Sequence, residues 1–146
     1  MTKFDFSTQD PTGKTAEYEL PLVGAPTLTV RHAGMTNKSY TNHLAKLSAK
    51  TGSAKRLARG QVTAELLEEN LDLDRKLFAQ HVVTDWTGVK DSSGKKVPFS
   101  KAACGDLLNA LPAWIMQDLS RFAALATNFI SSDEPTDEEV DAQAGK

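Results

Sequence analysis

Cysteine occurs once, at Cys104, so the chain can form no internal disulfide and no thiolate-rich metal site. That usage fits a reducing compartment. Met1-Thr2-Lys3-Phe4-Asp5 has no charged start leading into an apolar stretch, so no signal peptide is expected. Long apolar runs are missing too. The nearest approach, 111–130, is interrupted by Gln117, Asp118, Ser120, Arg121, Thr127 and Asn128, whereas a bilayer-spanning helix needs about 20 predominantly apolar residues. Charge of one sign is scarce: 17 basic residues meet 19 acidic ones, a net −2, so the molecule as a whole is not built to bind polyanions. Catalytic signatures are also lacking. His32, His43 and His81 fall on different expected elements without metal-ligand spacing. No His-Glu-x-x-His, Cys-x-x-Cys, Gly-x-Ser-x-Gly or phosphate loop is present. These absences together lead to the expectation of a soluble, intracellular, non-enzymatic protein with no cofactor, no metal and no membrane partner.

What is present is globular. With 146 residues, 40% of them hydrophobic, the chain can bury a core without staples. The expected organisation is a flexible arm at 1–13, a single globular domain at 14–130, and a disordered acidic tail at 131–146. The fold class is α+β, mainly helical. Tyr18, Leu20 and Leu22 alternate with polar neighbours, which predicts a strand with one buried face. Pro21 places it at an edge or makes it irregular, because proline cannot donate to a ladder. Gly24-Ala25-Pro26 turns the chain, and Leu28, Val30 and His32 form the second strand of an N-terminal β-hairpin with a loop of about four residues. A second small hairpin is expected near 82–99, running out through Trp86 to Val89, turning at Asp91-Ser92-Ser93-Gly94 and returning to Phe99.

Four helices are expected. The first is capped by Thr36 or Asn37 and carries Tyr40, Leu44 and Leu47 on one stripe, with an end or break at Thr51-Gly52-Ser53. The second spans 63–80 behind a Thr63 cap, with Leu66, Leu67, Leu71, Leu73, Leu77 and Phe78 facing inward. The third follows Ser100 with Ala103, Cys104, Leu107, Leu108 and Leu111. Gly105 costs that helix about 1 kcal/mol relative to alanine, which suggests a close packing contact, and Cys104 reads as a buried, inert thiol. Pro112 suits the first turn of the fourth helix. There Ile115, Leu119, Phe122, Ala126 and Phe129 recur at heptad-like spacing towards an end near Ile130.

Two features are candidates for binding. Trp86 and Trp114 are each either a partner anchor or a core residue, core being the favoured reading. With Ile115, Leu119, Phe122 and Phe129 they form the candidate partner-binding set. More apolar stripe exists than these elements can easily hide, which motivates self-association. Separately, Lys46, Lys50, Lys55, Arg56 and Arg59 make 46–59 basic. Phosphate contact is one reading. Aromatic residues do not interleave, so base stacking is not provided for, and an acidic partner or the chain's own acidic tail fits at least as well. In that tail six acids oppose one lysine, net −5, which leaves +3 on the rest.

Trp86-x-Gly88, then Asp91-x-x-Gly94-Lys95-x-Val97-Pro98-Phe99-Ser100, then Leu107 to Leu111-Pro112 and Asn128-Phe129, resemble in order and spacing the tail assembly chaperones of long-tailed bacteriophages. Upstream, Leu28-x-Val30-Arg31-x-Ala33-Gly34-x-x-Asn37-x-x-Tyr40 is similar to their N-terminal part. The resemblance spans roughly 18–130. It implies an assembly factor in the host cytoplasm that binds the tape measure protein and keeps it soluble while tail tube subunits polymerise. It also implies possible contact with the major tail protein through an extended form, and brings no catalytic residues. The alternatives are a structural tail or connector subunit of the virion, or a small nucleic-acid-binding regulator.

Overall fold

The structure, a computed structural model, describes residues 4–51, 60 and 64–130. The expected acidic tail, the Thr63 cap, the break at Gly52-Ser53 and the basic residues Lys55, Arg56 and Arg59 lie outside the described residues. Residues 4–13, expected as a loose arm, contain a 3-10 turn at Ser7–Gln9. Pro11 beyond it is buried, and Asp10 Oδ1 accepts from the Thr12 amide at 2.9 Å.

The fold is α+β. Among the described residues, β1 (Thr15–Glu19), β2 (Thr27–Arg31) and β3 (Val83–Thr87) form one antiparallel sheet in the order β1-β2-β3. Helices α1 (Lys38–Thr51), α2 (Ala64–Leu77), α3 (Lys101–Ala110) and α4 (Ala113–Ala124) supply the rest, with a short π-helical turn at Phe78–Val82. Alternation works as expected in the first hairpin. Tyr18 pairs with Leu28, and Leu20, Leu28 and Val30 are buried while Thr15, Glu17 and Glu19 are exposed. β1 is indeed an edge strand. The loop, however, spans 20–26, because the Leu20 amide donates to the Pro26 carbonyl and closes it there. Leu22, expected inside, is therefore carried past the last ladder pair and is exposed.

The second hairpin is present in short form: Lys90 bridges Lys96, and the Val97 and Asp91 amides donate to the Val89 and Lys95 carbonyls, each at 2.9 Å. Its outgoing strand also pairs with β2, Leu28 opposite Trp86. A register shift at Thr29/Val30 explains this pairing. With strict alternation Val83 and Trp86 would point to opposite faces. A bulge at Thr84, whose hydroxyl donates to the Thr29 carbonyl at 3.3 Å, lets both reach the core.

Two helix ends are also corrected. The helix expected at 63–80 keeps α-geometry only to Leu77 and widens into the π-turn, which buries Phe78, Ala79 and Val82 together. The helix expected to reach Ile130 stops at Ala124, with Leu125 extended and a 3-10 turn at Ala126–Phe129. The final carbonyls of a helix lack internal partners, and here other segments take them. The Ala33 amide donates to Ala123 O at 2.8 Å, His32 Nε2 to Ala124 O at 3.1 Å, and Asn128 Nδ2 to Phe122 O at 2.9 Å. Phe129 then folds back with its ring 5.5 Å from His32. Since the Ala124 carbonyl can only accept, Nε2 carries the proton and Nδ1 accepts from the Thr36 hydroxyl at 2.7 Å. A Cβ on Gly34 would meet the His32 ring at 2.7 Å, which explains glycine there.

Asn37 is the cap of α1, and it is buried. Its Oδ1 accepts from the Tyr40 amide at 3.3 Å, while its Nδ2 donates to the His81 carbonyl at 2.9 Å. One side chain thus caps a helix and satisfies a carbonyl of the π-turn. Arg75 does similar service for α3: Nε reaches Leu108 O at 3.1 Å and an η-nitrogen reaches Leu111 O at 3.2 Å. The core cluster beneath includes Phe78, Val82, Cys104, Leu108, Ile115, Met116 and Leu119.

Two stability changes are expected in urea unfolding. Asn37→Ala removes a cap and strands a buried carbonyl, and should cost about 2–3 kcal/mol. Gly105 does not make the close contact expected of it: a Cβ there would meet nothing within 4 Å. Gly105→Ala should therefore raise stability by roughly 0.5–1 kcal/mol; destabilisation would show that the space is not free.

Candidate binding surface

Of the six residues expected to bind a partner, four are buried and one is half-buried. Ile115, Leu119 and Phe129 are buried. Phe122 is half-buried, its ring 5.1 Å from Tyr18 and 6.2 Å from Phe129. Trp86 is buried, donates Nε1 to the Val97 carbonyl at 2.8 Å and meets Phe99 edge-on at 5.2 Å. Trp114, favoured as core, is instead 59% exposed. It stands in the first turn of α4, where Ile115 and Met116 take the inward positions. The spare helical stripes are thus largely absorbed inside the fold.

Exposed apolar surface lies elsewhere. At the tip of the β1–β2 loop, the Ala25 amide donates to the Leu22 carbonyl at 2.9 Å, and Gly24 takes a positive φ of 87°. Ala25 also has a positive φ of 42°, which costs a non-glycine residue about 1 kcal/mol or more. The turn holds Val23 fully in solvent beside Leu22. Facing it is the 88–96 loop, built by the motif residues themselves. Gly88 turns with φ 75° where a Cβ would sit 3.5 Å from Pro26. Asp91 Oδ1 accepts from the Ser93 hydroxyl, the Ser93 amide and the Lys95 amide at 2.6–3.0 Å. The Ser93 hydroxyl and then the Lys95 amide hold its carboxyl below the usual aspartate range. That carboxylate is committed to the loop, and Lys90, Lys95 and Lys96 stand exposed around it. Between the two loops lies a cleft of about 600 Å3 lined by Leu22, Val23, Pro26, Val89, Lys96 and Leu107, among others.

The sequence reading missed this surface. Its signal was an apolar Val23 inside a glycine turn, and three lysines within seven residues of a tight Asp-Ser-Ser-Gly loop. The arrangement is suited to grip an apolar segment that carries acidic side chains. It offers no nucleophile–base pair. Cys104 is buried, and burial pushes its thiol up to about 12. Among the described residues, no group of three or more His, Cys, Asp or Glu is placed to hold a metal. No described helix is long and apolar enough to cross a membrane.

One polar pair stands apart. His43 Nδ1 and His81 Nε2 lie 2.9 Å apart, so one proton is shared and the contact is lost if both rings are doubly protonated. Burial, then His43, Lys101 and Arg31, lower the proton affinity of His81 below its ordinary value of 6.5. The neutral ring is therefore the form the fold favours. Below pH 6.5 the unfolded chain binds more protons than the folded one, so stability falls as pH falls through that value. Urea midpoints between pH 7.5 and 5 should show this slope, and His81→Gln should flatten it; an unchanged slope in the variant would refute the assignment.

A family model described as YdaY prophage protein matches residues 35–140, from just before α1 to beyond α4, which indicates a phage-derived protein. Neither the curated proteins nor the solved structures gave a match.

Proposed function

The chain belongs to the YdaY prophage protein family, and from that footing we propose that it is a tail assembly chaperone, a non-catalytic holder of the phage tape measure protein in the host cytoplasm. One observation carries the reading: a strained turn keeps Val23 in water opposite a lysine-crowned loop, and that loop is made by the residues on which the resemblance to such chaperones rests. Strain is kept where the surrounding structure over-determines it, and it clusters at binding sites. A tape measure protein is long and helical, and presents apolar stripes that aggregate when unprotected. Val23 and Leu22 offer contact to such a stripe, and Lys90, Lys95 and Lys96 favour flanking acids. Several copies along one client would add through avidity, each contact staying weak enough to release when tube subunits arrive.

Co-expression with a tape measure protein encoded by the same prophage tests the proposal. The wild-type chain should raise the client's soluble yield and co-purify with it. Val23→Asp places a charge in the apolar contact and should weaken binding by about tenfold, the loss of one buried apolar side chain, with the chain itself still folded. Absence of rescue, or equal rescue by Val23→Asp and by a Lys95→Glu/Lys96→Glu chain, would refute this surface. Recovery of the protein from purified virions at fixed copy number would favour a structural tail subunit instead.

A further inference from the structure

A second cleft, of about 500 Å3, opens at the start of β3, whereas the binding surface described above lies beyond its end. Arg31 at the end of β2, Ser39 in the first turn of α1, His81 in the π-turn, Thr84 at the bulge and Lys101 at the start of α3 line it. No acidic side chain is among its lining residues. Arg31 and Lys101 both bear electrostatically on His81, which places two cations beside one imidazole around one space. The pattern continues along α1. Ser39, His43, Lys46 and Lys50 recur at spacings of four, three and four, which puts them on one helix face. α1 contains no acid. None of Arg31, Lys46, Lys50 and Lys101 forms an ion pair among the described residues. A cluster of unpaired cations raises its own electrostatic energy and attracts a polyanion.

We propose that this basic track is the docking site of the chain's own acidic C-terminal segment, residues 131–146, bound in cis. Charge is complementary: the segment carries six acids against one lysine. Position is favourable as well. The segment begins after Ile130, next to Phe129, whose ring lies 5.5 Å from that of His32, the neighbour of Arg31. Sixteen residues span up to about 50 Å when extended, more than the roughly 16 Å from Ser39 to Lys50 along α1. Tethering supplies an effective concentration of order millimolar, so individually weak, solvent-exposed pairs suffice. Nucleic acid fits less well, because Tyr40 on α1 is buried and the His43 ring is engaged with His81 at 2.9 Å, which leaves little for base stacking. The docked segment screens the basic face from other polyanions. This inference is independent of the chaperone reading.

The full-length chain carrying a spin label at Ala144→Cys tests it by paramagnetic broadening of amide signals; buried Cys104 stays unlabelled. Broadening is expected at Ser39, His43, Lys46, His81, Thr84 and Lys101. It should be lost when the acids are neutralised together (Asp133→Asn, Glu134→Gln, Asp137→Asn, Glu138→Gln, Glu139→Gln, Asp141→Asn). It should likewise be lost in Arg31→Gln/Lys101→Gln, retained in Lys101→Arg, and diminished at about 1 M salt, where screening acts within about 3 Å. Broadening elsewhere, or nowhere, overturns the proposal. So does broadening that appears only between labelled and unlabelled copies, which would assign the contact to two chains. A short DNA duplex that perturbs these signals equally in the wild-type and acid-neutralised chains would assign the track to nucleic acid and also overturn it.

Discussion

The fold depends on β2 pairing along both of its edges. Leu28 and Val30 on this strand are fully buried, and a central strand achieves that only with a neighbour on each side. β1 is close in sequence and joins through a short loop. β3 is more than fifty residues away, and closing so long a loop is entropically costly. The return is that Val83 and Trp86 enter the same core as Leu28 and Val30. β3 thus pairs with β2 along its length, and the local hairpin that follows it is confined to Val89–Val97. The 88–99 segment is thereby left as a projecting loop, tied down by Trp86 Nε1 on the Val97 carbonyl and by the Asp91 carboxylate. The exposed lysines of the candidate surface are thus a consequence of how the sheet is completed.

Around that sheet, elements are stitched at their ends. A helix terminus leaves backbone groups unsatisfied, and in this protein distant side chains meet several of them. Asn37 joins the start of α1 to the π-turn, Arg75 joins α2 to the end of α3, and His32 with Asn128 closes the end of α4. Tyr18 adds a bond to Asp118 at 2.5 Å between β1 and α4, and burial with that carboxylate pushes its phenol well above the usual range. These contacts fix where each helix stops more firmly than intrinsic propensity does. They also explain why every buried polar side-chain atom among the described residues finds a partner.

Local features of the fold were legible in the sequence, and non-local ones were not. The first hairpin, the Asn37 cap, the Ser100 cap with its bond to the Ala103 amide, the Pro112 start of α4 and the buried Cys104 all follow from short-range rules. What escaped were competitions decided by tertiary packing. Heptad-like spacing from Ile115 to Phe129 suggested one continuous helix, but the carbonyls at its end had better partners in 32–33. Trp86 and Trp114 looked alike in sequence, and only the bulge at Thr84 and the inward positions of Ile115 and Met116 separate them. The candidate surface was legible as a motif but not as a shape, because nothing local says that the Lys90–Lys96 bridge would be isolated.

The two charged regions divide the work. Two of the exposed apolar side chains, Leu22 and Val23, sit at a loop tip, where a tight turn presents them without opening the core. Among the described residues, two groups of cations without an ion pair stand out, one on the 88–96 loop and one on the α1 track. An acidic segment covalently attached to the chain favours the track nearest its origin, since tethering rewards proximity more than it rewards charge count. The lysines of the loop lie farther from Phe129 along the length of β2, and on the proposed function they would be left for an acidic client. Under the two proposals made above, tail and client would meet different cations, and charge sorting by position would keep the two from competing.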